Sequence, residues 1–360
     1  MAVVTYRQAL HDTLRDEMRR DPRVILLGEE IGLFEGSYKI TAGLLEEFGP
    51  ERVIDTPIAE EGFVGAAIGA AMLGMRPVVE IMTVNFSLLA IDQLVNHAAK
   101  IYAMFGGQAR VPLVLRTPEG GGQQLAATHS QNFSAWYAYV PGLKVVAPAT
   151  PADARGLLQS AIRDDDPVIF LENLALYNTR GEVPGLTEDG PARLAGGGGT
   201  GAPAGGDADE LVPIGTAAVM QAGEDITLVG YSRMSIVALE VARRLEQEEG
   251  ISCEVIDVRS LRPLDRPTLI ESVKKTSRAV VITEDWYSYG VSAEIVATIQ
   301  EGAFDYLDAP ITRVAQAEVP LPYAKSLEQA ALPKAQHLVD AVKRTLEASG
   351  YRARTTIGQR

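Results

Sequence analysis

Near-continuous apolar runs of five to seven residues alternate with longer segments whose apolar positions recur every three or four residues. The first helical segment is Thr5–Arg20, with Leu10, Leu14 and Met18 on one face. Strands are then predicted at 23–28, 52–56, 77–83, 112–117, 143–147 and 168–172. Helices are predicted at 60–73, 88–105 and 151–163, the last with Pro151 at its start. Strands that are apolar throughout, rather than alternating, predict a parallel sheet covered by helices on both faces.

Residues 181–210 break the pattern. Ten of these thirty are glycine, including Gly196-Gly-Gly-Gly199, and large apolar residues are scarce. Such a composition predicts a flexible linker, because too little surface is buried to offset ordering entropy. Alternation resumes with strands at 225–230, 253–258, 279–283 and 311–314, and helices at 235–247, 267–275, 292–301 and 334–346. The expected organisation is α/β throughout: two doubly wound domains with mainly parallel sheets, at 1–180 and 211–360, joined by the 181–210 linker.

Composition narrows the classes. The formal net charge of −14 argues against a nucleic-acid binder. One cysteine excludes a disulfide framework and a cysteine-rich metal site, and fits a reducing compartment. The first residues reach charge at once, and the longest apolar run, Gly62–Met75, is too short to span a bilayer. A soluble cytoplasmic protein without membrane or nucleic-acid partners is the expectation.

Several catalytic signatures are absent. No Gly-Lys-Ser/Thr is present, and Gly230-Tyr-Ser-Arg-Met234 fails a nucleophile elbow at its last position. The four histidines contain no i, i+4 pair. A formal Gly-x-Gly-x-x-Gly at Gly196, Gly198 and Gly201 has no strand before it or helix after it, so a nicotinamide dehydrogenase lacks its phosphate turn.

Three segments carry candidate chemistry. Asp55-Thr-Pro-Ile-Ala-Glu-Glu-Gly-Phe63 sets two carboxylates between a buried strand and an apolar helix. Acidic residues at a helix N-terminus also serve the macrodipole alone. The functional alternative is a carboxylate at the carboxyl end of a parallel strand, where α/β sheets bind ligands and burial raises a pKa. Met82-Thr-Val-Asn-Phe86 with Ile91-Asp-Gln93 is either a strand end and core helix or a binding surface. His129, beyond the loop Pro118-Glu-Gly-Gly-Gly-Gln123, is either a surface histidine or an acid/base group.

Taken together, these segments resemble the β subunit of the thiamine-diphosphate-dependent 2-oxoacid dehydrogenase E1 component, most of all the two-chain α2β2 pyruvate dehydrogenase pattern. The resemblance rests on Leu27-Gly-Glu-Glu30, Gly36-Ser-Tyr-Lys39, Asp55–Phe63, Met82–Gln93, His129-Ser-Gln131, Pro141–Val146, Ser160–Asp164 and Leu261-Arg-Pro263. It continues through Asp308-Ala-Pro310 and Val319–Lys325. It implies a transketolase-like pyrimidine-binding domain followed by a transketolase C-terminal-like domain. It further implies a cofactor, thiamine diphosphate, shared with an E1 α subunit whose Gly-Asp-Gly…Asn-Asn motif holds the Mg2+ and the diphosphate; this chain contains no Asn-Asn pair.

By resemblance, Glu60 hydrogen-bonds N1′ of the aminopyrimidine, and Ile58, Met82 and Phe86 line that end of the cofactor. His129 matches a histidine that assists substrate binding and transfer to the lipoyl arm. Leu113, Ala161, Asp164 and Asp166 fall where relatives hold a structural potassium ion. The implied partners are E1 α in a heterotetramer, the E2 dihydrolipoyl acyltransferase and a small 2-oxoacid. The implied activity is oxidative decarboxylation of pyruvate with reductive acetylation of lipoyl. A branched-chain 2-oxoacid or acetoin enzyme is the alternative substrate reading, and a non-catalytic E2-docking scaffold the alternative class. Met82–Gln93 and Leu171-Glu-Asn173 look more like the pyruvate pattern. Two departures stand out: Glu61 follows Glu60 directly, and the glycine-rich insert is long. Adjacent helical residues diverge by about 100°, which predicts that Glu61 points away from Glu60.

Overall fold

A computed structural model describes residues 2–184, 186 and 211–351. Contacts divide the chain into two units, Met1–Glu119 with Trp136–Ile214 and Gly120–Ala135 with Gly215–Arg360. The helix-and-strand alternation of the sequence is present in both. Residues 181–183, expected to begin the linker, complete a strand instead. The remainder of that glycine-rich segment from 187 to 210 lies outside the described residues.

In the first unit β1 (Ala2–Thr5) leads into α1 (Tyr6–Arg20). Thr5 caps that helix by accepting the Gln8 N–H at 3.1 Å, and Arg19 and Arg20 close it on the side favoured by the macrodipole. Then follow β2 (Val24–Gly28), α2 (Leu44–Phe48), β3 (Val53–Asp55), α3 (Glu60–Met72) and β4 (Arg76–Glu80). The chain continues through α4 (Ala99–Met104), β5 (Val114–Glu119), α5 (Ser134–Tyr139), β6 (Lys144–Val146), α6 (Pro151–Arg163), β7 (Val168–Asn173) and β8 (Arg180–Val183). Within this unit six parallel strands lie in the order β6-β7-β5-β4-β2-β3. All residues of β2, β5 and β7 are buried, as the apolar runs Val24–Leu27 and Val168–Leu171 lead one to expect. β1 and β8 form a separate antiparallel pair, Ala2 opposite Val183. Four residues are too few for a period to show, which is why the sequence did not announce them.

The helix expected at 88–105 is broken into a 3-10 segment at Val84–Ala90, a π segment at Gln93–Ala98 and α4. The wide turn lays Gln93 against α3 at Gly65, where a Cβ would stand 3.1 Å from Gln93 Oε1. Such π segments concentrate at functional sites.

The second unit holds β9 (Ala218–Gln221), β10 (Ile226–Gly230), α7 (Arg233–Glu249), β11 (Cys253–Asp257), β12 (Ser260–Arg262) and α8 (Arg266–Thr276). After them come β13 (Ala279–Trp286), α9 (Val291–Ala303), β14 (Thr312–Gln316), α10 (Lys325–Ala331) and α11 (Ala335–Ala348). Its sheet runs β14-β13-β10-β11-β9, parallel except for β9 at the edge. Ile226, Leu228, Val255, Val280 and Ile282 pack with α7 and α11 in one core. Among the described residues, no helix is long and apolar enough to cross a membrane.

Candidate active site

In the first unit the chain goes from β2 to β3 on one side and then returns to β4 on the other. The gap between the carboxyl ends of β2 and β4 is therefore the switch point at which an open α/β sheet binds ligands. Glu29 follows β2, Ile58 and Glu60 follow β3, and Met82 and Phe86 follow β4. Four residues picked out from the sequence thus follow β3 and β4, the two neighbours of β2 in the sheet.

Glu60 is the first residue of α3 and only 3% exposed, whereas Glu61 is exposed. The divergence expected of neighbouring helical residues separates them. The free N–H groups of the first helical turn and the macrodipole favour negative charge at Glu60. Ile58 is 84% exposed, unusual for a large apolar side chain at a sheet's ligand-binding edge, and Met82 and Phe86 are half-buried. Phe86 is fixed by its turn. Its N–H donates to Thr83 O at 3.0 Å, Asn85 Nδ2 donates to Thr83 Oγ1 at 2.6 Å, and Ser87 joins its hydroxyl to that of Tyr137.

Glu29, not singled out from the sequence, is 6% exposed, and its Oε1 has no hydrogen-bond partner. Burial first, then the charges of Glu60 and Glu30, push its carboxyl up to about 7. Its signal was a charged residue directly after a buried apolar strand, within the Leu27–Glu30 stretch that carries the resemblance. The loop beyond it is held by Asp55, which accepts the N–H groups of Gly32 at 2.6 Å and Leu33 at 3.0 Å. Gly28 must lack a side chain, since a Cβ there would stand 2.7 Å from Glu80 O.

Because the folded chain keeps a proton on Glu29 that the unfolded chain gives up near pH 4.5, Glu29 contributes stability that is complete below that pH. That contribution is lost as pH rises through about 7. Glu29→Gln should therefore match the wild type in melting temperature below about pH 4.5, exceed it increasingly as pH rises from there to about 7, and keep a constant margin above that. Parallel melting profiles across this range would show that Glu29 carries no such proton.

Beneath this edge lies a buried charge network. Arg116 of β5, 2% exposed, donates from Nε to Glu172 Oε1 at 2.7 Å and from Nη2 to Oε2 at 3.0 Å, and from Nη1 to Glu80. Tyr177 donates its hydroxyl to Glu172. Burial pulls the guanidinium down, but the two carboxylates outweigh it and hold it above its ordinary value. Burial likewise raises Glu172, against the opposing pull of Arg116.

His129 belongs to the second unit. It is exposed, with Nδ1 2.9 Å from Thr128 Oγ1, on the loop that follows Gly120-Gly-Gly122.

Of the residues at which the resemblance implies potassium, held partly through carbonyls, Asp164 and Asp166 have carboxylates that are already paired. Lys144 Nζ donates to both carboxylate oxygens of Asp164, at 2.7 and 2.6 Å, and stands 3.1 Å from Asp166 Oδ2. Arg110 contacts Asp166 at 3.1 Å. The Leu113 carbonyl accepts the Val168 N–H at 2.8 Å and the Ala161 carbonyl the Asp164 N–H at 3.3 Å. Among the described residues, no group of three or more His, Cys, Asp or Glu could hold a metal ion.

Two family models match the chain: transketolase, pyrimidine-binding domain, over residues 2–179, and transketolase, C-terminal domain, over 215–338. The chain is 48% identical over 341 residues to the pyruvate dehydrogenase E1 component subunit beta of Rickettsia felis, covering 95% of this chain and 98% of that one. It is 50% identical over 341 residues to the mitochondrial subunit beta-1 of Arabidopsis thaliana, covering 95% and 89%. With the mitochondrial subunit beta of Dictyostelium discoideum it shares 46% over 344 residues, covering 96% and 91%. A solved structure described as a split-gene transketolase, an inactive beta4 tetramer, matches with a TM-score of 0.71 at 22% identity, over 96% of this chain and 99% of that one. That last likeness concerns the fold alone.

Proposed function

The chain belongs to the family of pyruvate dehydrogenase E1 β subunits, built from transketolase pyrimidine-binding and C-terminal domains, and on that premise we propose that it forms the pyrimidine-facing half of a thiamine diphosphate site. With an E1 α subunit it decarboxylates pyruvate and passes the acetyl group to the lipoyl group of E2. The observation that carries this reading is Glu60. It is a carboxylate buried at a helix N-terminus and at a sheet switch point, flanked by the apolar Ile58, Met82 and Phe86.

Those residues fit one end of a flat heteroaromatic ring. Ile58, Met82 and Phe86 offer apolar surface to its faces, and Glu60 offers an acceptor to a ring-nitrogen proton at N1′. When bound, thiamine diphosphate supplies the electron sink for loss of CO2 from a 2-oxoacid. Glu60 holds the N1′ proton, a task for which a group with one charged acceptor in a water-poor site is suited. Its negative charge is balanced by the α3 macrodipole. Glu29, protonated up to about pH 7, keeps a second negative charge away from that carboxylate. His129 is assigned to substrate binding and to transfer onto the lipoyl arm. Diphosphate and Mg2+ are assigned to the α subunit.

Co-expression with the α partner, followed by CO2-release assays on pyruvate and on branched-chain 2-oxoacids, tests the substrate. Turnover only on the branched-chain acids would move the assignment within the family. The isolated chain is expected to bind thiamine diphosphate weakly by calorimetry, because binding energy is shared with residues of another chain. Submicromolar binding to this chain alone would sink the split-site reading.

A further inference from the structure

The second unit has its own switch point, between the carboxyl ends of β10 and β13. In such sheets a ligand ordinarily sits there. Here the position is taken by the chain's own glycine-rich loop, Gly120–Gln124, the segment that leads to His129. The Gly121 N–H donates to Oε1 of Glu284, near the end of β13, at 3.2 Å, and Arg233 Nε at the start of α7 stands 3.4 Å from the other oxygen of Glu284. Glu328 of α10, 1% exposed, accepts at Oε1 from the N–H groups of Gly122 and Gln124, each at 3.0 Å. Its Oε2 accepts a further contact from the Gln124 N–H at 3.2 Å.

Three features show that the loop is over-determined. A Cβ on Gly121 would stand 2.4 Å from Leu321 Cδ1 and 3.1 Å from Leu332 Cδ2, so these two leucines, buried with Ala331, press on bare backbone. Gln124 and Ala126 both adopt left-handed φ values, 58° and 64°. Residues with a Cβ keep that conformation only where surroundings hold them. The Gly120 N–H donates to Gln131 O at 3.1 Å, closing the segment that contains His129 into a loop.

We propose that Glu328 is a positioning residue: by gripping the Gly122 and Gln124 amides it sets the loop that places His129. This rests on the reading of His129 as a group that acts on substrate or lipoyl. A buried carboxylate receiving backbone N–H bonds is a strong, directional anchor. Its amide analogue presents an N–H2 group to one of the same N–H donors and cannot replace it fully.

The test uses the assembled α–β enzyme with E328Q, H129A and the double variant, assayed with pyruvate and a lipoylated E2 domain, together with amide hydrogen exchange. E328Q should raise exchange across residues 120–131 at least about tenfold while β10 and β13 stay protected. It should also lower lipoyl acetylation by up to about 100-fold, the scale of a 1 Å misplacement. In the H129A background E328Q should add little, since both losses run through one group. Equal losses in both backgrounds, or unchanged exchange over 120–131, would overturn the proposal. H129A turning over at the wild-type rate would instead remove the reading of His129, a result distinct from the exchange pattern. Should E328Q fail to assemble, E328D keeps the charge and withdraws it by one methylene. Exchange on the wild type must in any case find the Gly122 and Gln124 amides protected.

Discussion

Replacing Glu60 by Gln is expected to lower turnover of the assembled enzyme by at least about 100-fold, the low end for a lost acid–base group. Assembly with the α subunit should persist. The side chains are isosteric, and Glu60 is the outermost residue of α3, so the helix loses at most a fraction of a favourable dipole term, roughly 0.3–1 kcal/mol. What changes is the ability to hold a proton at N1′: a carboxylate accepts it, whereas an amide can only donate or accept a neutral hydrogen bond. The loss should therefore fall on kcat at saturating pyruvate and saturating thiamine diphosphate, with a smaller change in KM. Size-exclusion of the α–β assembly alongside steady-state CO2 release separates the two effects. Near-full turnover in E60Q would end the enzymatic assignment and leave the docking-scaffold alternative.

The comparison of Glu60 with Glu29 shows what the sequence could disclose. Both follow a short apolar strand, and a sheet switch point brings both to one edge. The adjacent pair Glu60 and Glu61 drew notice because an unusually apolar helix follows at once, and the family resemblance then chose Glu60. Glu29 opens a long irregular loop, where Glu30, Glu35 and Lys39 take left-handed φ values and no period exists to read. Its place is set by Asp55 gripping the Gly32 and Leu33 amides, a contact that spans more than twenty residues of chain. The parallel sheets were legible for the opposite reason, since strands buried on both faces must be apolar throughout. The edge elements β1, β8 and β9 were not, because one exposed face in three or four residues leaves no distinguishable pattern. The sequence predicts one continuous helix over 88–105 because the 3-10, π and α segments into which it is broken are each only one or two turns long, too short for a change of period to show.

The largest expected stability loss is at Arg116. Arg116→Met should destabilise the fold by about 3–5 kcal/mol, the cost of stranding a buried charge by removing its partner. Its partners Glu80 and Glu172 lie 36 and 56 residues away in sequence and meet it only through the β4-β5-β7 register. Without the guanidinium, Glu172 keeps only the Tyr177 hydroxyl in a fully buried place, and Glu80 loses its cation. Burial already raises Glu172 above the ordinary carboxylate range while Arg116 opposes it, so removing Arg116 moves it further up. A raised folded-state pKa gives stability that is present at low pH and lost as pH climbs. The deficit of R116M relative to the wild type should therefore be greatest near neutral pH and shrink toward pH 5. Urea unfolding at pH 5, 6 and 7.5 reads both the size and the slope. R116K, which keeps the charge without the two-pronged fork, should fall between them. Substituting Glu80, Arg116 and Glu172 together by apolar residues of similar volume should recover much of the loss, because the penalty belongs to unpaired charge rather than to missing contacts. A small, pH-independent loss in R116M would mean that water reaches Glu172 once the guanidinium is gone. In that case the network governs the geometry of the β4 edge, where Glu80 precedes Met82, more than it governs the stability of the fold.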